Sequence, residues 1–480
     1  MQKPSFEDYL NEFNEVGFVD QIVHSIVYAS GLPTVRPHEI VIFESGSVGQ
    51  VLSLDDELAE ILLLSGSMAR AGERIAKTGR ELSIPVGEFY LGHTVDALGG
   101  VLDGSIKKFE PKESRPVDIE PMGILERKPV DLPLETGVSV VDLTVPLGKG
   151  QRELVIGDKN TGKTRFLLQV ILTQARKGTI CIYCGVGKKK TTIKRVAEFF
   201  KSQGVDKNTL IVASTSEDPS GVIYITPFAA MTHAEYFRDQ GKDVLIVIDD
   251  LTVHAKFYRE ITLLLQRFPG RSAYPGDIFY THARLLERAG DFEKASITCL
   301  PVADTVMGDL TGFIQTNLMA MTDGHIFFDI DIFNQGRRPA INPFLSVTRV
   351  GLQAQRPLVR DLSRQLNSFL VEQDKLRQFL HFGAELSEDI QRKLALGDKI
   401  YSLFEQLPGI VVPEVVSVYL VAALWAGMWR DKKVSEAKTE FEKVIGSYGK
   451  DKAFGRKIDD LINAAATFTD LVTTLKRHAN

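Results

Sequence analysis

A chain of 480 residues has room for roughly two to four domains of ordinary size. Its 44% hydrophobic and 25% charged residues are those of a soluble globular protein, and a net charge of −5 gives no overall basic footprint for nucleic acid. Three cysteines, Cys181, Cys184 and Cys299, cannot build a disulfide framework and suit a reducing compartment.

The N-terminus lacks the basic start and apolar core of a signal peptide, and the stretch FEDYLNEFNEVGFVD (6–20) is acidic. Phe6, Tyr9, Leu10 and Phe13 fall at i, i+3, i+4 and i+7, which predicts a short amphipathic helix. From about 17 to 95, short apolar runs such as EIVIF, VGQVLSL and LAEILLL alternate with Gly-, Ser-, Pro- and Asp-rich turns. That spacing suits a small antiparallel β-barrel. A Pro- and charge-rich connector follows at 107–133 and reads as a surface linker.

From about 135 to 350, apolar strands alternate with helical stretches, which implies a parallel sheet covered on both faces. Cys181 and Cys184 form a C-x-x-C that could be a redox or metal pair. They sit in TICIYCGV (179–186), however, which reads as a buried strand where i and i+3 point to opposite faces. No second Cys or His pair stands close in sequence to complete a zinc site. After Pro357 the pattern is helical, with Leu358, Leu362, Leu366, Phe369 and Leu370 on one apolar stripe. The segment 415–429 is strongly apolar but shorter than the ~20 residues a spanning helix needs, so it reads as a buried core helix.

The chemistry starts at GDKNTGKT (157–164), a G-x-x-x-x-G-K-[ST] loop that follows an apolar strand and opens a helix. Gly157, Asp158, Lys159, Asn160, Thr161 and Gly162 would wrap phosphates with backbone N–H groups. Lys163 can reach the β- and γ-phosphate oxygens, and Thr164 can ligate Mg²⁺. ATP and Mg²⁺ are therefore the expected ligands. LIVIDDL (245–251) places Asp249 where a second, metal-associated acid belongs at a strand end, while Asp250 could be a helix cap. Hydrolysis also needs a group that orients the attacking water, commonly a carboxylate leaving the strand that follows the loop helix. The residue leaving that strand here is Lys188, followed by Lys189 and Lys190, and a lysine beside phosphates stays protonated and cannot be the base.

With these residues in place, the chain resembles the alpha subunits of F-type ATP synthases over nearly its full length. The stretches that carry the likeness are 84–104, 135–164, FPGRSAYPGDIFYTHARLLERAG (268–290) and GRRPAINPFLSVTRVG (336–351). The resemblance implies a non-catalytic, nucleotide-holding subunit that alternates in a ring with catalytic beta-type subunits around a central, gamma-type shaft. Such a ring works in ATP synthesis or hydrolysis coupled to ion transport. Lys188 takes the position where alpha subunits usually carry glutamine. Arg349 falls on the arginine finger that alpha presents to the neighbouring beta site. Arg338 matches a residue near the adenine, and Gln406 matches a second adenine contact. The short N-terminal segment leaves attachment to a peripheral stalk open.

The architecture expected is an α/β core with an N-terminal β-barrel and a C-terminal helical bundle. Its segments are an N-terminal helical piece (1–16), the barrel (17–97), a RecA-like nucleotide-binding domain (98–356) and a C-terminal helical domain (357–480). The resemblance implies a peripheral position on the cytoplasmic, or organelle matrix, side of an energy-transducing membrane, without direct insertion. The competing reading is a catalytic hexameric P-loop motor of the secretion-ATPase or Rho-like class. The first kind needs a carboxylate where Lys188 stands. The second needs a basic barrel, whereas residues 1–100 hold six Lys/Arg against fifteen Asp/Glu. A vacuolar B-type subunit shares the non-catalytic role but has a degraded loop, and this loop is intact.

Overall fold

The computed structural model describes residues 5–55, 58–65, 69–104, 111–380, 387–407 and 409–479. The chain folds into two compact units. The first comprises 1–127, 178–303 and 311–321, and the second 128–177, 304–310 and 322–480.

The first unit begins with the predicted helix, Phe6–Phe13. Ser5 caps it reciprocally with Asp8, and Phe6 and Tyr9 bury against Ala76. Six strands follow and close into a barrel: Val16–Val23, Ile26–Ser30, Glu39–Phe43, Val48–Leu54, Ala59–Ser65 and Arg74–Glu81. Alternate residues point inward, so Val19, Val27, Val41, Phe43, Val51, Ile61 and Ile75 fill the barrel. Gly49 is required where strands crowd, since a Cβ there would sit 2.5 Å from Ile61 Cγ2.

The barrel closes at Glu81, and Thr94–Val95 pairs instead in parallel with Thr209–Thr215. Ile180–Lys188, Val244–Asp249 and Ser296–Thr305 extend that parallel array, with Cys181 beside Thr209, Ile182 beside Ile246 and Ile246 beside Cys299. Cys181, Cys184 and Cys299 are buried within these strands. Strands covered on both faces cannot alternate polar and apolar residues, which is why VLIVID and ICIYC read as unbroken apolar runs. The helices Lys190–Ser202, Ser220–Asp239, Leu251–Leu264 and Ile278–Leu286 belong to the same unit.

In the second unit, Glu153–Asp158 pairs in parallel with Gly324–Phe328 and leads into the helix Lys163–Arg176. Six helices make up its C-terminal part among the described residues: Pro357–Leu380, Glu388–Phe404, Glu414–Trp425, Val434–Lys450, Lys452–Ala464 and Phe468–Ala479. Leu358, Leu362, Leu366 and Leu370 are buried as their spacing predicts, and Phe369 meets Trp425 edge-on at 4.9 Å. Glu414–Trp425 is apolar on every side because helices surround it, and Val416, Val418, Leu420 and Val421 are fully buried. Among the described residues no helix is long and apolar enough to cross a membrane.

Candidate nucleotide site

The phosphate-binding loop lies wholly within the second unit. Gly157 is needed for close approach, because a Cβ on it would lie 2.3 Å from the carbonyl oxygen of Phe328. Asn160 and Gly162 take positive φ values of 66° and 106°, which turn the chain before the helix starts at Lys163. Thr161 Oγ1 donates to Asp158 O at 2.7 Å and draws the turn closed. The side chain of Asp158 braces the loop from outside, accepting from Gly308 N at 2.9 Å and from the Thr305 hydroxyl. Lys159 is exposed, 4.0 Å from Asp304.

Lys163 is almost wholly covered. Its ammonium donates to Gly157 O at 2.6 Å and Asp158 O at 2.7 Å, and pairs with Asp304 at 3.0 Å. Thr164 stands half-buried in the first helical turn. The loop thus has the backbone curvature, the fixed cation and the helix N-terminus that a nucleotide's phosphates require. ATP fits it. Asp304, which no sequence motif marked, is part of this arrangement, and the only signal for it was its place at the end of the apolar run SITCLPVADT.

Arg338 and Gln406 come together in this unit, for Gln406 N donates to Arg338 O at 2.8 Å. The Arg338 guanidinium lies 3.5 Å over the Phe333 ring and donates to the carbonyls of Phe333 and Arg337. The Gln406 side chain donates to Gly137 O and Ile410 O, both at 2.6 Å, and accepts from Ser139 N at 3.1 Å. Gln406 therefore shapes the backbone around the site with its amide. Beside these residues lies a pocket walled by Val140, Arg337, Pro339, Ile341, Tyr401 and Phe404, with the Arg337 guanidinium stacked 4.3 Å over the Tyr401 ring. Arg349 is exposed, anchored by its backbone N–H to Asp323 O at 2.9 Å and by its guanidinium to Thr322 O at 3.3 Å.

Lys188, Asp249 and Asp250 belong to the first unit, where adjacent parallel strands bring them together. Lys188 Nζ lies 2.5 Å from Asp249 Oδ1 and 3.4 Å from Asp250 Oδ2. Burial pulls the Lys188 ammonium down, but Asp249 and then Asp250 outweigh it and leave it above the usual lysine range. Asp249 Oδ2 accepts from the Tyr183 hydroxyl at 2.8 Å, and the phenol is pushed up by its burial and by Asp249. Asp250 is a helix cap, accepting from Val253 N at 2.7 Å. The Thr164 hydroxyl is of the kind that ligates a divalent cation, and the two carboxylate oxygens of Asp249 accept from Lys188 and Tyr183.

A family model described as ATP synthase alpha/beta family, nucleotide-binding domain, matches residues 137–348. An ATP synthase subunit alpha of Dictyoglomus turgidum is 39% identical over 442 residues, covering 90% of this chain and 87% of the relative. That of Dictyoglomus thermophilum is 42% identical over 404 residues, covering 83% and 79%. The subunit alpha of Aquifex aeolicus is 39% identical over 443 residues, covering 91% and 88%. With identity of this order across barrel, loop and helical bundle, the chain belongs to the ATP synthase alpha/beta family and groups with its alpha subunits.

Proposed function

We propose that this chain is a nucleotide-holding subunit of an ATP synthase ring that binds ATP without turning it over. In this reading it alternates with a catalytic beta-type subunit around a central shaft. The ring sits at the cytoplasmic or matrix face of an energy-transducing membrane and couples ATP chemistry to ion transport. Arg349 is the residue it lends to the neighbouring catalytic site, and Arg338 and Gln406 shape its own adenine pocket.

The observation that carries the reading is the pairing of an intact phosphate loop with Lys188 at the end of the strand Ile180–Lys188. A general base must accept a proton at neutral pH. Lys188 is held protonated by Asp249 and Asp250, so it donates and cannot accept. The same fact argues against a homohexameric catalytic motor.

Purified chain should retain ATP in stoichiometric amount and release no phosphate from it, and Lys163→Ala should abolish retention. Steady turnover by the chain alone, with partner subunits shown absent by mass spectrometry, would overturn the proposal.

A further inference from the structure

Three strands of the second unit set Glu153, Gly324 and Thr348 at one level. Glu153 pairs with Gly324, and Gly324 pairs with Thr348, the residue before Arg349. Glu153 is wholly buried. Its carboxyl lies across the middle strand in space that only a glycine leaves, since a Cβ on Gly324 would stand 2.6 Å from Glu153 Oε2 and 2.2 Å from Val347 O. Gln151 Nε2 bridges the outer two strands, donating to Glu153 Oε2 at 2.6 Å and to the Thr348 hydroxyl at 3.2 Å. That hydroxyl donates in turn to Pro146 O and accepts from Gly351 N, both at 3.1 Å, so it pins the chain on either side of Arg349.

Glu153 Oε1, also buried, makes no hydrogen bond among the described residues. A strand that had only to pack would carry an apolar side chain there. Burial pushes this carboxyl well above the usual carboxylate range; the Gln151 hydrogen bond and Arg349 oppose the shift, and Asp323 adds to it. A neutral acid still accepts from Gln151, so the bridge holds in either protonation state. We propose that Glu153 is a positioning residue for Arg349, fixing through Gln151 and Thr348 the strand end that aims its guanidinium. The inference rests on the reading that Arg349 serves the neighbouring subunit's catalytic site. There a guanidinium displaced by about 1 Å forfeits much of its hold on the transition state.

The test is a double-mutant cycle on ATP hydrolysis by the complex reconstituted with its catalytic partner. Glu153→Ala should lower kcat about ten- to hundredfold with KM nearly unchanged, and Thr348→Val should do the same. Glu153→Gln keeps an acceptor for Gln151 and should stay within about threefold of the parent. In an Arg349→Ala background the loss from Glu153→Ala should vanish, because the residue acts through that guanidinium. ATP binding by the isolated chain, at the loop the same strand enters, should not change. A fall there matching the fall in kcat would mark a general loosening of the strand and overturn the inference. If Glu153→Ala does not fold, Thr348→Val carries the same cycle. Full activity in both variants, or an equal loss in the Arg349→Ala background, overturns the inference and leaves the role of Arg349 standing. An Arg349→Ala complex as active as the parent overturns both.

Discussion

The ammonium of Lys163 lies 3.0 Å from the carboxylate of Asp304, and both side chains are shielded from solvent. Asp304 and the carbonyls of Gly157 and Asp158 hold the same ammonium that a nucleotide's phosphates would claim. ATP binding must take Lys163 from Asp304 and place further negative charge near that acid.

Asp304→Asn should therefore tighten ATP binding. Relieving a partly buried like-charge contact is worth about 0.6–1.4 kcal/mol, or roughly three- to tenfold in Kd. Isothermal titration calorimetry of the isolated chain reads this directly. Weaker binding by the variant would mean that Asp304 orients Lys163 for the phosphates and does not compete with them.

A second prediction concerns pH and Glu414, at the start of the helix Glu414–Trp425. Burial and then the neighbouring Glu135 push its carboxyl up to about 7, against the opposing pull of Arg356 and Lys177. Glu135 also accepts from Glu414 N at 2.8 Å. For an acid raised in the folded state, the unfolded chain releases its proton first. Stability is thus intact below the ordinary glutamate range, declines as pH rises toward 7, and stays lower above it. Glu414→Gln should raise the melting temperature at pH 8 and leave it unchanged at pH 4. The gain at pH 8 is roughly 1–3 kcal/mol, less the ~0.5 kcal/mol that a first-turn carboxylate draws from the helix dipole. Destabilisation at pH 8 would show that the charged form is the one the fold wants.

The acid limb has a different source. His254 and His282 are buried in contact, with Nδ1 of the first 3.0 Å from Nε2 of the second. His254 Nε2 donates to Tyr224 O at 3.0 Å, so a neutral His254 accepts at Nδ1 and His282 must donate to it. Burial lowers His254 to about 4 and, with His254 beside it, holds His282 well below its ordinary value. A depressed histidine favours folding above the unfolded value near 6.5, and that stability is lost as pH falls. Between pH 6.5 and 4.5, each histidine should cost about 1.4 kcal/mol per pH unit. His282→Gln preserves a donor toward His254 and removes one titrating group. Urea midpoints across pH 4.5–7 should therefore fall less steeply for the variant, by one proton. Equal slopes would exclude the pair as the cause.

Much of this molecule is legible in its sequence because the signals are local. The barrel's short apolar runs, the stripe from Leu358 to Leu370 and the loop at 157–164 each depend on neighbours within a few residues. The partners of the buried lysines are not local. Asp304 meets Lys163 across a long stretch of chain, and Lys188 meets Asp249 only because two parallel strands are neighbours in a particular register. From sequence, Lys188 belongs beside the phosphates. In the structure its ammonium is committed to two carboxylates. The His254–His282 contact is likewise invisible to periodicity, since two histidines on helices carry no mark of facing one another.

The last prediction concerns Arg349 acting outside its own chain. The residue is exposed, and its backbone is pinned by Asp323 while its guanidinium holds Thr322 O at 3.3 Å, so a rigid base presents an accessible fork. The phosphoryl-transfer transition state spreads negative charge over equatorial oxygens, and a positioned guanidinium stabilises that charge more than it stabilises bound ATP. Such fingers are worth about 10³–10⁵ in rate, roughly 4–7 kcal/mol of barrier. Lysine offers a point charge without the planar fork, so it should substitute poorly. Arg349→Ala and Arg349→Lys should both leave ATP binding by this chain unchanged and allow assembly with its catalytic partner. Hydrolysis by the assembled complex should nevertheless fall by at least about 10³-fold, while its affinity for ATP at the catalytic site changes little. Complexes reconstituted from each variant separate the two effects through kcat and KM. Hydrolysis within a few-fold of the parent in both variants would make Arg349 a structural arginine that secures Thr322.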